Sequence, residues 1–537
     1  TPNPKPQTPN PKPQTPGAYI FVSSIPISRK YVVAVSSPPS NPHLGVVIWR
    51  ELSSLRRMVH YTAQSFQRVY YPLMGALAIT FPSPDSPLDG MGALKDTVQR
   101  CMDENRPGIV LNDNINGAAM IILTDIKLIR EYFLKELSVS RRQSILEPPI
   151  NIPFFWENSE EALYKRAIFA EFFRIDNLST VIPDISRVMQ SRLTAILQRI
   201  DAHPDRQITI DLSKEITAAV EEIGEQALLA GNCRNTTVDG KSICQGLLEA
   251  VHNINSRRAA LHPINVLTYG WAGKLGLIPS LNKGLSLYRK CERAVSEAYN
   301  SRSALPTDSL NTSIIDLMVK HNKSNPKYSL TEADCIGYMI TFILAGVHTS
   351  TELAQSGLYN IAKDKDLQEK IRSEIRKYNL LREGVVIADL DKAEYVNCLF
   401  RETLRVYSPA PFTFQRRLMK DFTLGQYSFK QGDMMVVQVA GTMNSTQCTS
   451  NPRQYDYTRH AKDASPDMKV STQAYTPFSM GRRSCIGQML AEVEFKMIIM
   501  NIVDRIAISL PAMDNGHRWR VTPLYAIDHL SVNAKRV

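Results

Sequence analysis

The sequence of 537 residues lacks several features that would assign it to a common class at once. It has no run of 18 or more apolar residues, so no segment has the length and character of a standard transmembrane helix. Its eight cysteines include no C-x-x-C pair, which excludes zinc-finger spacing and favours a chain in reducing surroundings over a disulfide scaffold. No basic run is interleaved with aromatic residues, so the sequence predicts no nucleic-acid partner.

The composition is that of a globular protein with an excess of positive charge. Hydrophobic residues make up 43% of the chain and charged residues 21%, enough for a large buried core. The net charge of +11 is compatible with ordinary solubility, and also with attraction to an anionic membrane or to an acidic partner protein.

The N-terminal region differs in composition from the rest of the chain. Residues 1–16 repeat a proline-rich heptad, which predicts a disordered tail. Residues 17–84 are basic and rich in serine, and their apolar stretch 69–81 contains Pro72. This extension predicts either a segment that associates with a membrane interface or a targeting leader. A folded catalytic domain is predicted over residues 85–537, after a proline-punctuated linker.

Hydrophobic periodicity in this domain predicts a mainly α fold with a smaller β-rich lobe. Helices are expected over Met91–Asn105 and Ile126–Glu136, with strands at Ile109–Leu111 and Ala118–Leu123. Helical periodicity then dominates residues 155–400.

One cysteine near the C-terminus lies in a loop of unusual composition. Cys485 lies between Gly481 and Gly487, and Arg483 and Phe478 precede it. The residues that follow predict a helix, whose N-terminus stabilises a thiolate. Glycines allow a flat ligand to approach closely, and an arginine pairs with carboxylates. An isolated cysteine in such a loop is more often a buried free thiol.

The full pattern Phe-x-x-Gly-x-Arg-x-Cys-x-Gly resembles the haem-binding signature of the cytochrome P450 superfamily. The resemblance implies that Cys485 is the axial thiolate ligand of the iron of haem b and that Arg483 holds a haem propionate. It also implies the P450 fold, with haem between a long central helix and the cysteine loop. Phe478, Gly481 and Gly487 would shape that loop.

A long helix is predicted over residues 330–361, opened by a capping box from Ser329 to Glu332. Its middle resembles the oxygen-activation motif of the same family, which implies catalytic roles for the four residues Ala345, Gly346, His348 and Thr349. The Thr349 hydroxyl can bond to the carbonyl four residues back. His348 replaces the family's usual acid, and imidazole can feed protons near neutral pH. The substitution also leaves open a reaction that needs no external protons.

Further residues match scaffold and cofactor positions of the family. Glu402 and Arg405 lie three apart on one helix face. The resemblance implies that they form a structural triad with Arg459. It also implies that Arg416 and Arg166 contact haem propionates, although the tryptophan usual in the helix of Arg166 is absent. For Arg166 a solvated basic helix face is the alternative.

The resemblance implies a monooxygenase that activates dioxygen and oxidises a lipophilic small molecule of the terpenoid, sterol, polyketide or fatty-acid class. Four apolar residues are expected to line the substrate pocket: Phe342, Ile343, Phe412 and Phe414. No flavin or nicotinamide segment is present, so electrons would come from an NADPH-dependent reductase or another donor, docked near Lys165 or Arg482. A membrane-surface location is expected, with the endoplasmic reticulum favoured over the mitochondrion. The alternatives are a peroxide-using isomerase or dehydratase and a non-catalytic haem sensor.

Overall fold

The structure, a computed structural model, describes most of the chain from residue 100 onward. The described residues are 56–58, 60, 64, 67–69, 100–104, 106–113, 118–142, 150, 152, 160–231, 236–254, 277–512, 519–521, 525–527 and 529–537. The predicted tail over 1–16, most of the extension over 17–84 and most of the predicted helix Met91–Asn105 lie outside them.

Helices dominate the described residues, which confirms the predicted fold class. In chain order they are α1 Ile126–Val139, α2 Glu160–Phe172, α3 Ile175–Leu178, α4 Ile182–Ala202, α5 Leu212–Leu229, α6 Ile243–Ile254, α7 Pro279–Ser303, α8 Ile314–Ser324, α9 Glu332–Lys363, α10 Lys365–Tyr378, α11 Ile387–Leu390, α12 Glu394–Val406, α13 Val439–Met443 and α14 Gln488–Arg505.

The strands form small sheets beside this helical body. They are β1 Gln67–Val69, β2 Gly108–Asp113, β3 Ala118–Leu123, β4 Ser140–Arg142, β5 Gln207–Asp211, β6 Thr237–Val238, β7 Lys241–Ser242, β8 Arg416–Leu418, β9 Phe422–Leu424, β10 Tyr427–Phe429, β11 Met434–Val437, β12 Ile506–Ser509, β13 Trp519–Val521, β14 Tyr525–Ile527 and β15 Ser531–Arg536. One six-stranded sheet has the order β1-β2-β3-β11-β8-β4, and β12-β15-β5 form another. Three two-stranded hairpins complete the set: β9-β10, β13-β14 and β6-β7.

Helix α9 spans 32 residues, or about 48 Å, through the core. Its capping box differs from the predicted one. The Thr331 hydroxyl accepts from the Asp334 N–H, and the Asp334 carboxylate accepts from the Thr331 N–H, both at 3.1 Å. The prediction of a box from Ser329 to Glu332 was therefore wrong in register. Glu332 instead accepts hydrogen bonds from Ser296 and Asn300 of α7.

Helix α14 packs closely against α9. A Cβ added at Gly357 would lie 2.7 Å from the Phe495 ring, so the glycine permits this approach. Nearby, the Ser350 hydroxyl donates to the buried Glu494 carboxylate at 2.6 Å. These contacts fasten the middle of α14 to the C-terminal half of α9.

The six-stranded sheet positions two arginines that are far apart in the sequence. Strands β4 and β8 pair antiparallel with Arg142 directly opposite Arg416. Both side chains are buried. Like charges directly opposite each other destabilise a strand pair, so this pairing requires anionic groups nearby.

Candidate functional site

The cysteine loop is closed by backbone contacts immediately before α14. The Cys485 N–H donates to the Phe478 carbonyl at 2.9 Å. Gly481 has a φ of +76°, and a Cβ there would lie 2.9 Å from the Phe133 carbonyl oxygen of α1. The residue is thus required both for its left-handed backbone and for close packing. Gly487 is the N-cap of α14, so the thiol lies just before the positive end of that helix.

The Cys485 thiol is both accessible and desolvated. Of the seven cysteines in the described part of the chain it alone is exposed. Burial nevertheless raises its pKa, while the Gly487 N–H and the Arg166 guanidinium act to lower it. The thiol is therefore accessible and yet surrounded by protein that desolvates it. Coordination by a metal ion deprotonates such a thiol outright.

A half-exposed face on α9 interrupts an otherwise buried stretch of that helix. The flanking residues Phe342, Ile343 and Val347 are buried, whereas five others are partly accessible: Leu344, Ala345, Gly346, His348 and Thr349. A Cβ added at Gly346 would have no neighbour within 4 Å, which indicates open space at that point. The Thr349 hydroxyl donates to the Ala345 carbonyl at 2.6 Å, as the sequence predicted. We call these five residues the α9 window.

The four predicted pocket residues differ in how accessible their side chains are. Ile343 is fully buried, and Phe342 is 5% exposed and packs edge-on against Phe169 and Phe173 from the α2 region. Aromatic rings from the α2 region thus cover Phe342, and Ile343 lies within the helical core. Phe412 is half-buried and Phe414 is 40% exposed, so these two remain candidates to line a pocket.

A cluster of buried arginines surrounds one buried carboxylate. Arg416 lies 3.0 Å from the fully buried Glu136 carboxylate. Burial raises the pKa of Glu136, and Arg416, Arg142, Arg483 and Arg166 oppose that rise. The cluster therefore holds four cations near one anion.

The Arg416 side chain in this cluster has two unmet hydrogen bonds. The Arg416 Nε and Nη1 atoms are buried and have no hydrogen-bond partner. Orphaned buried donors on a charged group are costly, so an additional acceptor is expected there. The two propionates of haem b supply such acceptors and the missing negative charge, and the cluster therefore fits that cofactor.

Arg166 contacts the cysteine loop itself. Its Nη2 donates to the Ser484 carbonyl, one residue before Cys485. Burial and the neighbouring Arg483 lower the pKa of Arg166, and Cys485 opposes this. Arg483 is itself buried, at 5% exposure. The sequence-predicted cations thus meet beside the thiol.

The three predicted scaffold residues lie together in a buried network. Glu402 accepts from the Arg405 Nε and Nη2 atoms, each at 2.8 Å, and its Oε1 is 3.6 Å from the Arg459 Nε. The network has a fourth side chain, His460, whose Nε2 is 3.0 Å from Glu402 Oε2. Burial alone would raise the pKa of Glu402, but hydrogen bonds from Arg405 and His460 outweigh it and lower that pKa.

The two cations suggested for partner docking differ in environment. Lys165 is engaged in ion pairs with Asp334 at 2.7 Å and Glu161 at 3.0 Å, which neutralise its charge. Arg482 is exposed in the cysteine loop. Of the two, only Arg482 presents its charge at the surface.

Sequence reasoning missed three residues near the site. Glu136 and Arg142 belong to the arginine cluster, and Glu352 lies one helical turn after His348. Only the i, i+4 spacing of Glu352 was visible in the sequence. The other two reach the site through tertiary pairing.

Comparisons with known proteins agree with this geometry. The sequence model of the family described as cytochrome P450 matches residues 95–517. The chain is 21% identical to cytochrome P450 6B1 of Papilio polyxenes over 82% of this chain and 90% of that protein. It is 22% identical to cytochrome P450 4V2 of Rattus norvegicus, over 69% of this chain and 70% of that protein. Psoralen synthase of Pastinaca sativa is 23% identical over 53% of this chain and 65% of that protein.

Among the described residues, no helix combines the length and apolar character needed to cross a membrane.

Proposed function

Since the chain belongs to the cytochrome P450 family of haem b monooxygenases, we propose that it oxidises a lipophilic small molecule with electrons from a separate NADPH-dependent reductase. The observation that carries this proposal is the accessible Cys485 thiol, in a closed loop immediately before α14 and beside the buried arginine cluster. When bound, haem b supplies reductive activation of dioxygen and oxidation of a C–H bond, and a thiolate ligand favours O–O cleavage.

The residues of this chain would ligate the iron, hold the propionates and supply protons. Cys485 would ligate the iron, and Arg166, Arg416 and Arg483 would hold the propionates. Thr349 holds a proton at Oγ1, and in this structure the hydroxyl donates it to the Ala345 carbonyl. The hydroxyl is free to reorient within the partly accessible α9 window. His348 would supply protons at the α9 window, since it stands at the position where the family usually has an acid.

The absorption spectrum of the reduced protein with carbon monoxide tests the ligation. Wild type should show a strongly red-shifted Soret band, and Cys485→Ala and Cys485→His should lose it. Cys398→Ala, which removes a buried cysteine, should retain it. A band typical of histidine or neutral-thiol ligation in wild type would refute the proposed thiolate chemistry.

The substrate class is tested by optical titration of the oxidised enzyme. A representative terpenoid, sterol, polyketide and fatty acid are each added, and a ligand-induced Soret shift reports binding near the iron. Phe414→Ala should weaken binding of the responding ligand, whereas Leu134→Ala, which alters an exposed apolar residue on α1, should not. Equal binding by both variants would remove Phe414 from the pocket.

Electron supply is tested by reduction kinetics. Arg482→Glu should slow reduction by an acidic reductase, because Arg482 is the exposed cation of the cysteine loop. Lys165→Glu is the comparison variant, because Lys165 is already held in ion pairs with Glu161 and Asp334. Turnover of a hydroperoxide without any reductase would instead support an isomerase or dehydratase, and a lack of NADPH consumption with any partner would support a sensor.

We also propose a membrane-surface location, at the endoplasmic reticulum rather than the mitochondrion. The net charge of +11 and the eukaryotic origin of the relatives support it. Fractionation of cells that express the protein tests this, and recovery in the mitochondrial fraction would refute it.

A further inference from the structure

A buried carboxylate lies beside the residue that replaces the family's acid. Glu352 is 8% exposed and lies one turn after His348 on α9. Its Oε2 accepts the Ile527 N–H at 3.2 Å, and its Oε1 lies 4.0 Å from the Nδ1 of His348. Within 4.0 Å the described residues offer it no lysine or arginine. A carboxylate buried without a cation is costly, so a partner that shares its proton is favoured.

The His348 side chain is buried at one ring nitrogen and partly exposed as a whole. Its Nδ1 is buried and has no hydrogen-bond partner, while the side chain as a whole is 36% exposed. The exposure therefore belongs to atoms of the side chain other than Nδ1, and His348 is part of the α9 window. The residue thus adjoins the Glu352 carboxylate and belongs to the partly accessible face of α9.

The surroundings make it possible for this pair to exchange one proton near neutral pH. Burial raises the pKa of Glu352 to about 7 and lowers the pKa of His348. Buried carboxylates on the helices packed against α9 include Glu225 of α5. Two more are bonded elsewhere: Glu494 of α14 accepts from Ser350, and Glu221 of α5 accepts from Gln245. Neither contributes to the shifts of the pair.

We propose that Glu352 is a positioning residue that orients His348 and reloads it with a proton, an inference that rests on the proposed monooxygenase function. Rotamer changes that shorten the 4.0 Å separation by about 1 Å would let a protonated Glu352 carboxyl donate an Oε1–H···Nδ1 hydrogen bond to the Nε2–H tautomer of His348. His348 then gives its Nε2 proton to an acceptor in the α9 window and takes a proton at Nδ1 from the Glu352 carboxyl. The Glu352 carboxylate takes a proton from hydronium in the solvent, and proton exchange with solvent returns the ring to the Nε2–H tautomer. Over the full cycle one proton moves inward and no electron is transferred. A carboxylate that orients a histidine through its second nitrogen is a general device of protein sites.

The competing explanation is that Glu352 only fastens β14 through the Ile527 N–H. Glu352→Gln separates the two, since an amide oxygen still accepts that N–H but cannot supply a proton. Glu352→Asp keeps the acid. Glu221→Gln is the matched control, because it neutralises a buried carboxylate that faces Gln245.

The test uses the holoenzyme as its reduced carbon monoxide complex, whose C–O stretching frequency reports polar groups facing the bound gas. We expect the wild-type infrared band to titrate as the pair exchanges its proton, around the Glu352 pKa of about 7, and His348→Gln to abolish that titration. Glu352→Gln should shift the midpoint by about one pH unit, since loss of an adjacent charge changes a pKa by that order. Glu352→Asp and Glu221→Gln should stay close to wild type.

A functional measurement completes the test. Product formed per NADPH consumed should fall about 10-fold in Glu352→Gln, as for other partners that orient a functional histidine, and recover in Glu352→Asp. An unchanged infrared midpoint in Glu352→Gln, with the red-shifted Soret band retained, would overturn this inference and leave the proposed function intact. Loss of the Soret band in wild type would instead overturn the proposed function. Should Glu352→Gln fail to fold, an unaltered titration in His348→Gln would also refute the role.

Discussion

Neutralising Glu402 should destabilise the protein more than neutralising an exposed glutamate. The Glu402 side chain is fully buried and accepts from the Arg405 guanidinium twice and from the Asp456 N–H, each at 2.8 Å. Glu402→Gln keeps the shape but leaves Arg405 and Arg459 as buried cations without their counter-ion. Breaking a buried pair in this way costs about 3–5 kcal/mol. With an unfolding entropy of about 2 cal/mol/K per residue, a chain of 537 residues should lose about 3–5 °C in Tm.

The assay is thermal unfolding of the purified protein, with Glu369→Gln as the control. Glu369 also pairs with a buried arginine, Arg372, but its side chain is 71% exposed, so its loss should cost less than about 1 kcal/mol. Because the folded state lowers the pKa of Glu402, its contribution is present above its unfolded pKa of about 4.3 and is lost as the pH falls through the folded value. Equal Tm values for the two variants at pH 7 would refute the reasoning.

Three further predictions concern cofactor retention and packing. Arg416→Ala should lower the haem content of the purified protein, measured by absorbance, because it removes two buried donors that fit a haem propionate. Arg416→Lys should recover only part of the haem content. Full haem occupancy in Arg416→Ala would contradict the role. Gly481→Ala should reduce Tm and haem content more than Gly384→Ala, since both glycines have positive φ but only the first would place a Cβ against backbone; equal losses would show that strain alone matters. Gly357→Ala should cost about 1–3 kcal/mol in denaturant unfolding, because its Cβ would overlap the Phe495 ring, and a neutral result would mean that α9 and α14 separate easily.

Local sequence spacing predicted those parts of the site that depend on neighbouring residues. The cysteine loop, the Thr349 bond to the Ala345 carbonyl and the Glu402 face of α12 are all set within one or two helical turns. For the same reason the strands Ile109–Leu111 and Ala118–Leu123 were placed correctly.

What the sequence did not predict depends on contacts between distant segments. Spacing put Phe342 on the same side of α9 as Thr349, but rings from the α2 region cover that position. Glu136 reaches the arginine cluster only because α1 packs beside strand β8. No local pattern encodes either contact.

The pairing of Arg142 with Arg416 has a consequence for the biogenesis of the protein. The two strands that carry these arginines are separated by most of the helical body, and Arg483 and Cys485 follow later still. A ribosome that has made β4, α1 and α2 has therefore produced only part of the charged pocket, with buried cations that lack their partners. Domains usually fold as units during synthesis, but here the cofactor cradle is complete only when α14 has emerged. Assembly of the complete arginine cluster beside Cys485 accordingly requires nearly the whole chain.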